Sequence, residues 1–184
     1  RGVKHSVVDK YSDQAHFIYE LLQNADDAQA TKSKFIITND GLTFIHNGTI
    51  GFTVSNPETE DKDSDEKKLG HINAITSIGN TTKDKAKIGK FGVGFKAIFQ
   101  YSNTPHIYDP NFSFKIERFI VPQEVEQNNS QRQEKETLFY FPFDIPTKSK
   151  EEAANDIIQK LKSLVHPVLF LNNLKEVIWE TSSE

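Results

Sequence analysis

The sequence predicts an α+β domain, a two-layer sandwich in which helices cover one face of a mixed, largely antiparallel sheet. Three observations lead there. The elements run helix, hairpin, helix, helix, strands, helix, strand, and local hairpins replace the regular strand–helix–strand alternation of a parallel sheet. Two apolar runs between Lys34 and His46 flank Asn39-Asp40-Gly41, the turn chemistry of a tight hairpin. No internal repeat occurs, and the 184 residues make one domain, 1–184, with 14 Phe, 5 Tyr and 1 Trp to fill its core.

Residues 1–11 are polar with a few Val and no clear period, and read as a lead-in strap. A helix is expected from Ser12 to Ala28, with Ser12 or Asp13 as N-cap. Wound at about 100° per residue, Ala15, Ile18, Leu22 and Ala25 gather on the side that faces a core. Glu20, Asn24 and Asp27 fall within about 60° of one another on the opposite side. A carboxylate, a carboxamide and a second carboxylate with no cation among them can bind a metal ion or a water; a solvated polar face is the plainer alternative.

After the hairpin, Asn47-Gly-Thr-Ile-Gly-Phe-Thr53 is a glycine-containing turn. Pro57 to Lys68 holds six acids, three Lys and no aliphatic residue, the composition of an exposed, mobile loop. Apolar residues at 69, 72, 75 and 78 predict a short helix over Leu69 to Ile78, ended by Gly79. Asn80 to Lys90 is basic, and Gly89-Lys-Phe-Gly-Val-Gly-Phe95 leads into a second helix at about Phe95 to Tyr101. Phe112 to Val121 and Thr137 to Phe143 read as strands, and the Gln/Glu/Asn-rich stretch at about 123–136 as a flexible loop. Helical spacing over Glu151 to Val165, with Pro167 just after, predicts a further helix, and Leu174 to Trp179 a last strand.

Composition bounds the function. No run of 18 apolar residues occurs and no signal-peptide pattern opens the chain, so no contact with a membrane is expected. Zero Cys excludes disulfides and thiolate metal sites and fits a reducing compartment, so a cytoplasmic, intracellular location is expected. The chain opens on Arg1 and contains no Met, which points to a piece of a longer protein. A net charge of −4 argues against direct nucleic-acid binding by this domain. The six His show no metal-ligand spacing and read as structural or surface groups.

The chemistry concentrates in two places. Gly89, Gly92 and Gly94 form G-x-x-G-x-G directly before a helix. Glycine lets the backbone approach a ligand, and a helix N-terminus offers free N–H groups and partial positive charge, which suits phosphate. Lys83, Lys85, Lys87 and Lys90 add attraction for a polyphosphate. There is no G-x-x-x-x-G-K-[ST], so this is not a P-loop. A dinucleotide fold would need a buried strand just before the glycines, and Lys83 to Lys87 is too charged for one. The second place is the polar helix face. Mg²⁺ takes oxygen ligands, one or two of them from protein, and Asn24 supplies one without adding charge beside a triphosphate. Glu20, one turn earlier, is placed to orient and deprotonate a water.

Together these residues resemble a known family. Glu20-x-x-x-Asn24-x-x-Asp27-Ala28, Asn47-x-x-x-Gly51-Phe-Thr53 and Gly89-Lys-Phe-Gly-Val-Gly-Phe95 look like the successive boxes of the GHKL ATPases, which include gyrase B subunits, heat-shock chaperones, histidine kinases and MutL-type repair proteins. The third box is close to the heat-shock chaperone form. Glu20-Leu-Leu-Gln-Asn-Ala-Asp-Asp-Ala28, Ser77-Ile-Gly-Asn-Thr-Thr-Lys83 and Val168-Leu-Phe-Leu-Asn-Asn-Leu174 look more like sacsin-type N-terminal ATPase modules.

The resemblance implies a Bergerat-type ATP-binding fold, with ATP or ADP and Mg²⁺ as cofactors. Glu20 would be the general base, Asn24 the Mg²⁺ ligand, Asp27 a water-mediated contact and Ala28 a neighbour of the nucleoside. Asn47 stands where the family has the Asp that recognises the adenine amino group, a departure that loosens base selectivity; Gly48 departs from the commonest form of that box too. Gly51 would shape the adenine pocket, and Thr137 would lie near the base. Gly92, Val93, Gly94 and Phe95 would offer backbone N–H groups to the phosphates. A lid at about 56–88 would bring Thr82 and Lys83 to the γ-phosphate. Slow hydrolysis and lid closure are expected in a chaperone-like or DNA-processing multidomain protein, with a downstream domain or dimer partner completing the site. A nucleotide-gated partner-binding module without turnover is the alternative. A histidine kinase is not expected, because that class lacks the Glu and His71 does not sit in a phosphoacceptor setting.

Overall fold

The sheet begins at the hairpin. β1 (Lys32–Ile37) and β2 (Gly41–His46) pair antiparallel, with Phe35 opposite Phe44 and Ile37 opposite Leu42. Thr38 closes the turn: its N–H donates to the Gly41 carbonyl at 3.0 Å, and its hydroxyl oxygen accepts the Asp40 and Gly41 N–H groups, each at 3.2 Å. Only glycine fits at 41, since a Cβ there would lie 2.7 Å from the Phe141 carbonyl oxygen.

The computed structural model describes residues 17–56, 58, 96–117, 121–126 and 129–182. Over these the protein is an α+β domain with a mixed seven-stranded sheet and two α-helices. The remaining strands are β3 (His106–Tyr108), β4 (Ser113–Glu117), β5 (Val121–Glu124), β6 (Thr137–Pro142) and β7 (Glu176–Thr181). They lie in the order β5-β4-β3-β6-β2-β1-β7, and β1–β7 is a parallel pair while the other five pairs are antiparallel.

One face of the sheet carries the core. Phe35, Ile37, Leu42, Phe44, Ile107, Phe114, Ile116, Phe139 and Phe141 form one buried cluster with Phe17, Ile18, Leu21, Leu22 and Ala25 of helix α1, residues 17–27. Helix α2 (Lys150–Lys162) adds Ala153, Ile157 and Leu161, spaced one turn apart. Its start follows from sequence: the Ser149 side chain accepts the Glu152 N–H while Glu152 reaches back to the Ser149 N–H, a capping box worth about 1 kcal/mol. On the other face Thr43 Oγ1 donates to Gln131 Oε1 at 3.3 Å, and Thr43 and Leu138 are also buried.

Several expectations change in detail. The helix expected to run to Val165 ends at Lys162 with Ser163 as C-cap, and His166, before Pro167, adopts φ 47°, outside any right-handed helix. The helix expected at about Phe95 to Tyr101 is a 3₁₀ turn over Lys96–Gln100 in its described part. The strand expected over Phe112 to Val121 is two strands, β4 and β5, and β3 is additional. Val121–Glu124 also takes the beginning of the expected loop into the sheet, while residues 129–136 are held by Arg132, whose Nη1 donates to the Gln133, Glu134 and Glu136 carbonyls. The lead-in strap, the Ser12 or Asp13 cap, the helix over Leu69 to Ile78, the Gly89–Phe95 loop and all but residues 56 and 58 of the expected lid lie outside the described residues. No helix among the described residues is long and apolar enough to cross a membrane.

Candidate functional site

Helix α1 presents the first group of residues. Its polar face is not a simple wet surface, because Glu20 is half-buried, Asn24 is 5% exposed and Asp27 is exposed. The Asn24 Nδ2 atom is buried and has no hydrogen-bond partner among the described residues. An unmet amide in the interior costs about 1–3 kcal/mol; the Ser33, Ser102 and Ser113 hydroxyls are buried without a partner among the described residues too. Asp26, on the same turn, has a structural role. Its Oδ1 accepts the Asn173 and Leu174 N–H groups at 2.6 and 2.8 Å, and its Oδ2 accepts the Asn172 N–H at 3.0 Å. Burial would raise this carboxyl, but the Leu174, Asn172 and Asn173 donors and the nearby Lys175 outweigh it and hold it below the ordinary value. Asp26 thereby ties α1 to the Leu171–Lys175 approach to β7.

Ala28 joins the helix to the turn after β2. Its carbonyl accepts the Thr49 and Ile50 N–H groups at 2.9 and 3.2 Å. Gly48 fits against it closely, since a Cβ at 48 would lie 2.8 Å from both Ala28 Cβ and the Ala28 oxygen. Asn47 is exposed, and its side chain is engaged with the neighbouring strand: Oδ1 accepts the Thr31 and Lys32 N–H groups, and Nδ2 donates to Thr31 Oγ1, all at 2.9 Å. Gly51 is half-buried beside Asn111 and Asp109, whose Nδ2 and Oδ1 would meet a Cβ at 2.6 and 3.1 Å.

Asp109 is fully buried and joins three segments. Its Oδ1 accepts the Phe52 N–H at 3.2 Å and the Asn111 N–H at 2.9 Å, and its Oδ2 accepts the Thr137 hydroxyl at 3.0 Å. A cleft of about 710 Å³ opens next to this junction, lined among others by Asn47, Gly51, Asn111, Glu134, Lys135 and Glu136. That volume suits a small ligand. Glu20 and Asn24 are not among its lining residues.

His46 completes the region. It is 4% exposed and lies against Phe44 and Phe139, with ring centroids 5.9 and 6.0 Å apart. Its Nδ1 accepts the Gly48 N–H at 3.1 Å, and burial pushes its pKa down to about 4, so the ring is neutral at pH 7. Sequence reasoning passed over Asp26, His46 and Asp109. The period-2 alternation Leu42, Phe44, His46 is the signal that puts the histidine on the core side of β2. The expected ligand contacts Thr82, Lys83, Gly92, Val93, Gly94 and Phe95 lie outside the described residues.

These features define an α+β domain in which the end of α1 meets the turn after β2 through the Ala28 carbonyl, and Asp109 joins the start of β6 to the segment after that turn. No family model matches the chain. It is similar to Protein NO VEIN of Arabidopsis thaliana, 33% identical over 114 residues, which are 58% of this chain and 4% of that protein. It is similar to Sacsin of Homo sapiens, 28% identical over 130 residues, 59% of this chain and 3% of that protein. It is also similar to the Putative type II restriction enzyme HgiDII of Herpetosiphon aurantiacus, 27% identical over 157 residues, 84% of this chain and 24% of that protein. The chain thus spans a quarter or less of each of these relatives. At these identities the link to sacsin is a distant one.

Proposed function

We propose that this domain is a GHKL-type module with Bergerat-type layering that binds ATP with Mg²⁺ and hydrolyses it slowly. The observation that supports the reading most is Asn24, a carboxamide buried on α1 with its amide nitrogen unmet among the described residues. Amide oxygen and nitrogen can exchange places by a flip, so this side chain can present an oxygen to a cation as readily as a nitrogen to a ligand acceptor. The donor chemistry fits Mg²⁺, which needs few protein oxygens when phosphates and waters provide the rest. When bound, the ion would neutralise phosphate charge.

The protein's own groups divide the remaining work. Glu20, one helical turn before Asn24, would take the proton of the attacking water. Asp27 would act through water, and Ala28 would border the nucleoside where α1 meets the Asn47–Ile50 turn. Gly51 and Thr137 would frame the base. Gly92, Val93, Gly94 and Phe95 would hold the phosphates, and Thr82 and Lys83 of the lid would close on the γ-phosphate. A cation from a following domain or a dimer partner would complete the site, and closure would make hydrolysis a conformational timer.

This chain spans 4% of NO VEIN and 3% of sacsin, which supports placing the module within a larger, multidomain protein; a chaperone-like role there is part of the proposal. The alignment with the putative restriction enzyme covers most of this chain but a quarter of that protein, and it supports a DNA-processing setting in which the same module serves a larger machine. Replacing Glu20 by Ala tests the enzymatic reading: turnover falls by about 10²–10⁴-fold while nucleotide binding survives. Unchanged turnover would favour a nucleotide-gated partner-binding module.

A further inference from the structure

We infer that Asp109 is the positioning residue of the cleft of about 710 Å³, holding the segments that line it so that the cleft takes the uncharged nucleoside end of a nucleotide, which the Gln133–Glu136 segment contacts. The inference rests on the nucleotide reading above and deepens it.

Three segments line the cleft: the turn after β2, the turn after β3 and residues 133–136. One carboxylate is tied to each of them. Gly51 lines the cleft, and the next residue, Phe52, donates its N–H to Asp109 Oδ1 at 3.2 Å. Asn111 lines it too, and its own N–H donates to the same oxygen at 2.9 Å. Glu136 ends the third segment, and the next residue, Thr137, donates its hydroxyl to Oδ2 at 3.0 Å. Asp109 is fully buried, so water does not compete for these bonds. The relative placing of all three segments therefore depends on one side chain.

The lining selects the end of the ligand. Its charges are one lysine, Lys135, between two carboxylates, Glu134 and Glu136; the remainder is proline, glycine, amide and hydroxyl groups. A triphosphate would meet net negative charge there, whereas a base and a sugar meet donors and acceptors. The place fits as well. Thr49, at the cleft, donates its N–H to the Ala28 carbonyl at 2.9 Å, and the Ala28 N–H donates to the Asn24 carbonyl at 3.0 Å. Asn24 thus stands one helical turn, about 6 Å, along α1 from Ala28. A cation ligand outside the cleft but close to its rim suits the phosphate end.

The 133–136 segment is firm. Arg132 Nη1 donates to the Gln133, Glu134 and Glu136 carbonyls at 3.4, 3.2 and 2.9 Å, and Glu136 Oε2 accepts the Gln133 N–H at 3.0 Å. With those groups engaged, the segment meets a ligand through the exposed side chains of Gln133, Glu134 and Lys135. None of the three belongs to the motifs that carry the family resemblance.

Adenosine, ATP with Mg²⁺ and inorganic tripolyphosphate with Mg²⁺ are the probes, followed in ¹H–¹⁵N spectra of the 184-residue chain. Adenosine and ATP are expected to shift the amide signals of Gly51, Asn111 and residues 133–136, and tripolyphosphate to leave them in place. Asp109→Ala is expected to weaken adenosine and ATP by about tenfold or more. Asp109→Asn keeps an oxygen for the two N–H groups, and the Thr137 hydroxyl can turn to accept from its amide; it should stay within about threefold of wild type. If Asp109→Ala does not fold, Gly51→Ala replaces it with the same expected loss, because its Cβ would lie 2.6 Å from Asn111 Nδ2 and drive that side chain away. Cleft signals unmoved by adenosine or by bound ATP, or shifted by tripolyphosphate, would overturn the inference and leave nucleotide binding standing. So would unchanged affinity in the folded Ala variant, or an Asp109→Asn loss as large as that of Asp109→Ala. Failure of ATP to bind the wild-type chain would overturn the nucleotide reading with it.

Discussion

Thr137 donates its hydroxyl proton to Asp109 at 3.0 Å in the protein interior, and the same carboxylate gathers the Phe52 and Asn111 N–H groups. One buried carboxylate thus fixes the first residue of β6, the turn after β3 and the segment after Gly51. Thr137→Val keeps the shape but removes a donor from a carboxylate that cannot reach water. The expected cost is about 1–3 kcal/mol in urea unfolding at pH 7, with Thr137→Ser recovering most of it.

Asp26 is the corresponding anchor on α1. Three backbone N–H groups of residues 172–174 converge on it, and Asn173 Nδ2 donates to its carbonyl at 3.0 Å. Asp26→Asn loses the charge and turns one oxygen into a donor facing donors. A loss of about 2–4 kcal/mol is expected. The sign with pH follows from the depressed pKa: this stabilisation is present above the ordinary carboxylate value and is lost as pH falls through the lower folded one. The variant should therefore show a shallower acid limb in unfolding experiments.

What was legible in the sequence was local. The hairpin follows from alternation around Asn39-Asp40-Gly41, and α2 from its apolar spacing, because each is decided by residues close in the chain. β3 has three residues, too few for a period, and β5 is exposed along its whole length; both exist through pairing with β4. The parallel β1–β7 pair joins residues more than a hundred positions apart, and no local pattern encodes that. At the candidate site, residue type carries only the proposal made for Glu20 and Asn24. Which of two adjacent residues, His46 or Asn47, faces the core depended on where β2 ends, and Asp109 has no sequence signal without the fold around it.

Asp156 links α2 to the segment that follows the glycine-rich stretch. Its Oδ2 accepts the Tyr101 hydroxyl at 2.5 Å and Lys148 Nζ at 3.2 Å, and its Oδ1 accepts Lys160 Nζ at 3.1 Å. Lys148 also lies 4.7 Å from the centre of the Tyr101 ring. A double-mutant cycle on Tyr101→Phe and Asp156→Asn should give a coupling of about 1–2 kcal/mol. Additive effects would mean that the contact adds nothing.

His46 gives the protein an acid sensitivity in a window where few carboxylates titrate. Folded, its pKa is about 4 because it is buried; unfolded, it is near 6.5. Between these values the unfolded chain binds a proton that the native state refuses, so stability falls as pH drops from about 6.5 to about 4, by roughly 3 kcal/mol in all. His106 is depressed in the same direction, by burial first and then by Lys115, and adds to the slope. Urea midpoints measured across this range should flatten in His46→Gln, and an unchanged slope would assign the effect to other groups.

The most direct test of the nucleotide reading is calorimetric titration of the 184-residue chain with ATP, ADP and a non-hydrolysable ATP analogue, each with and without Mg²⁺. One site per chain, tighter with Mg²⁺ and weakened by Asn24→Ala, is the predicted result. No binding of any of the three nucleotides, or binding indifferent to both Mg²⁺ and Asn24, would contradict it.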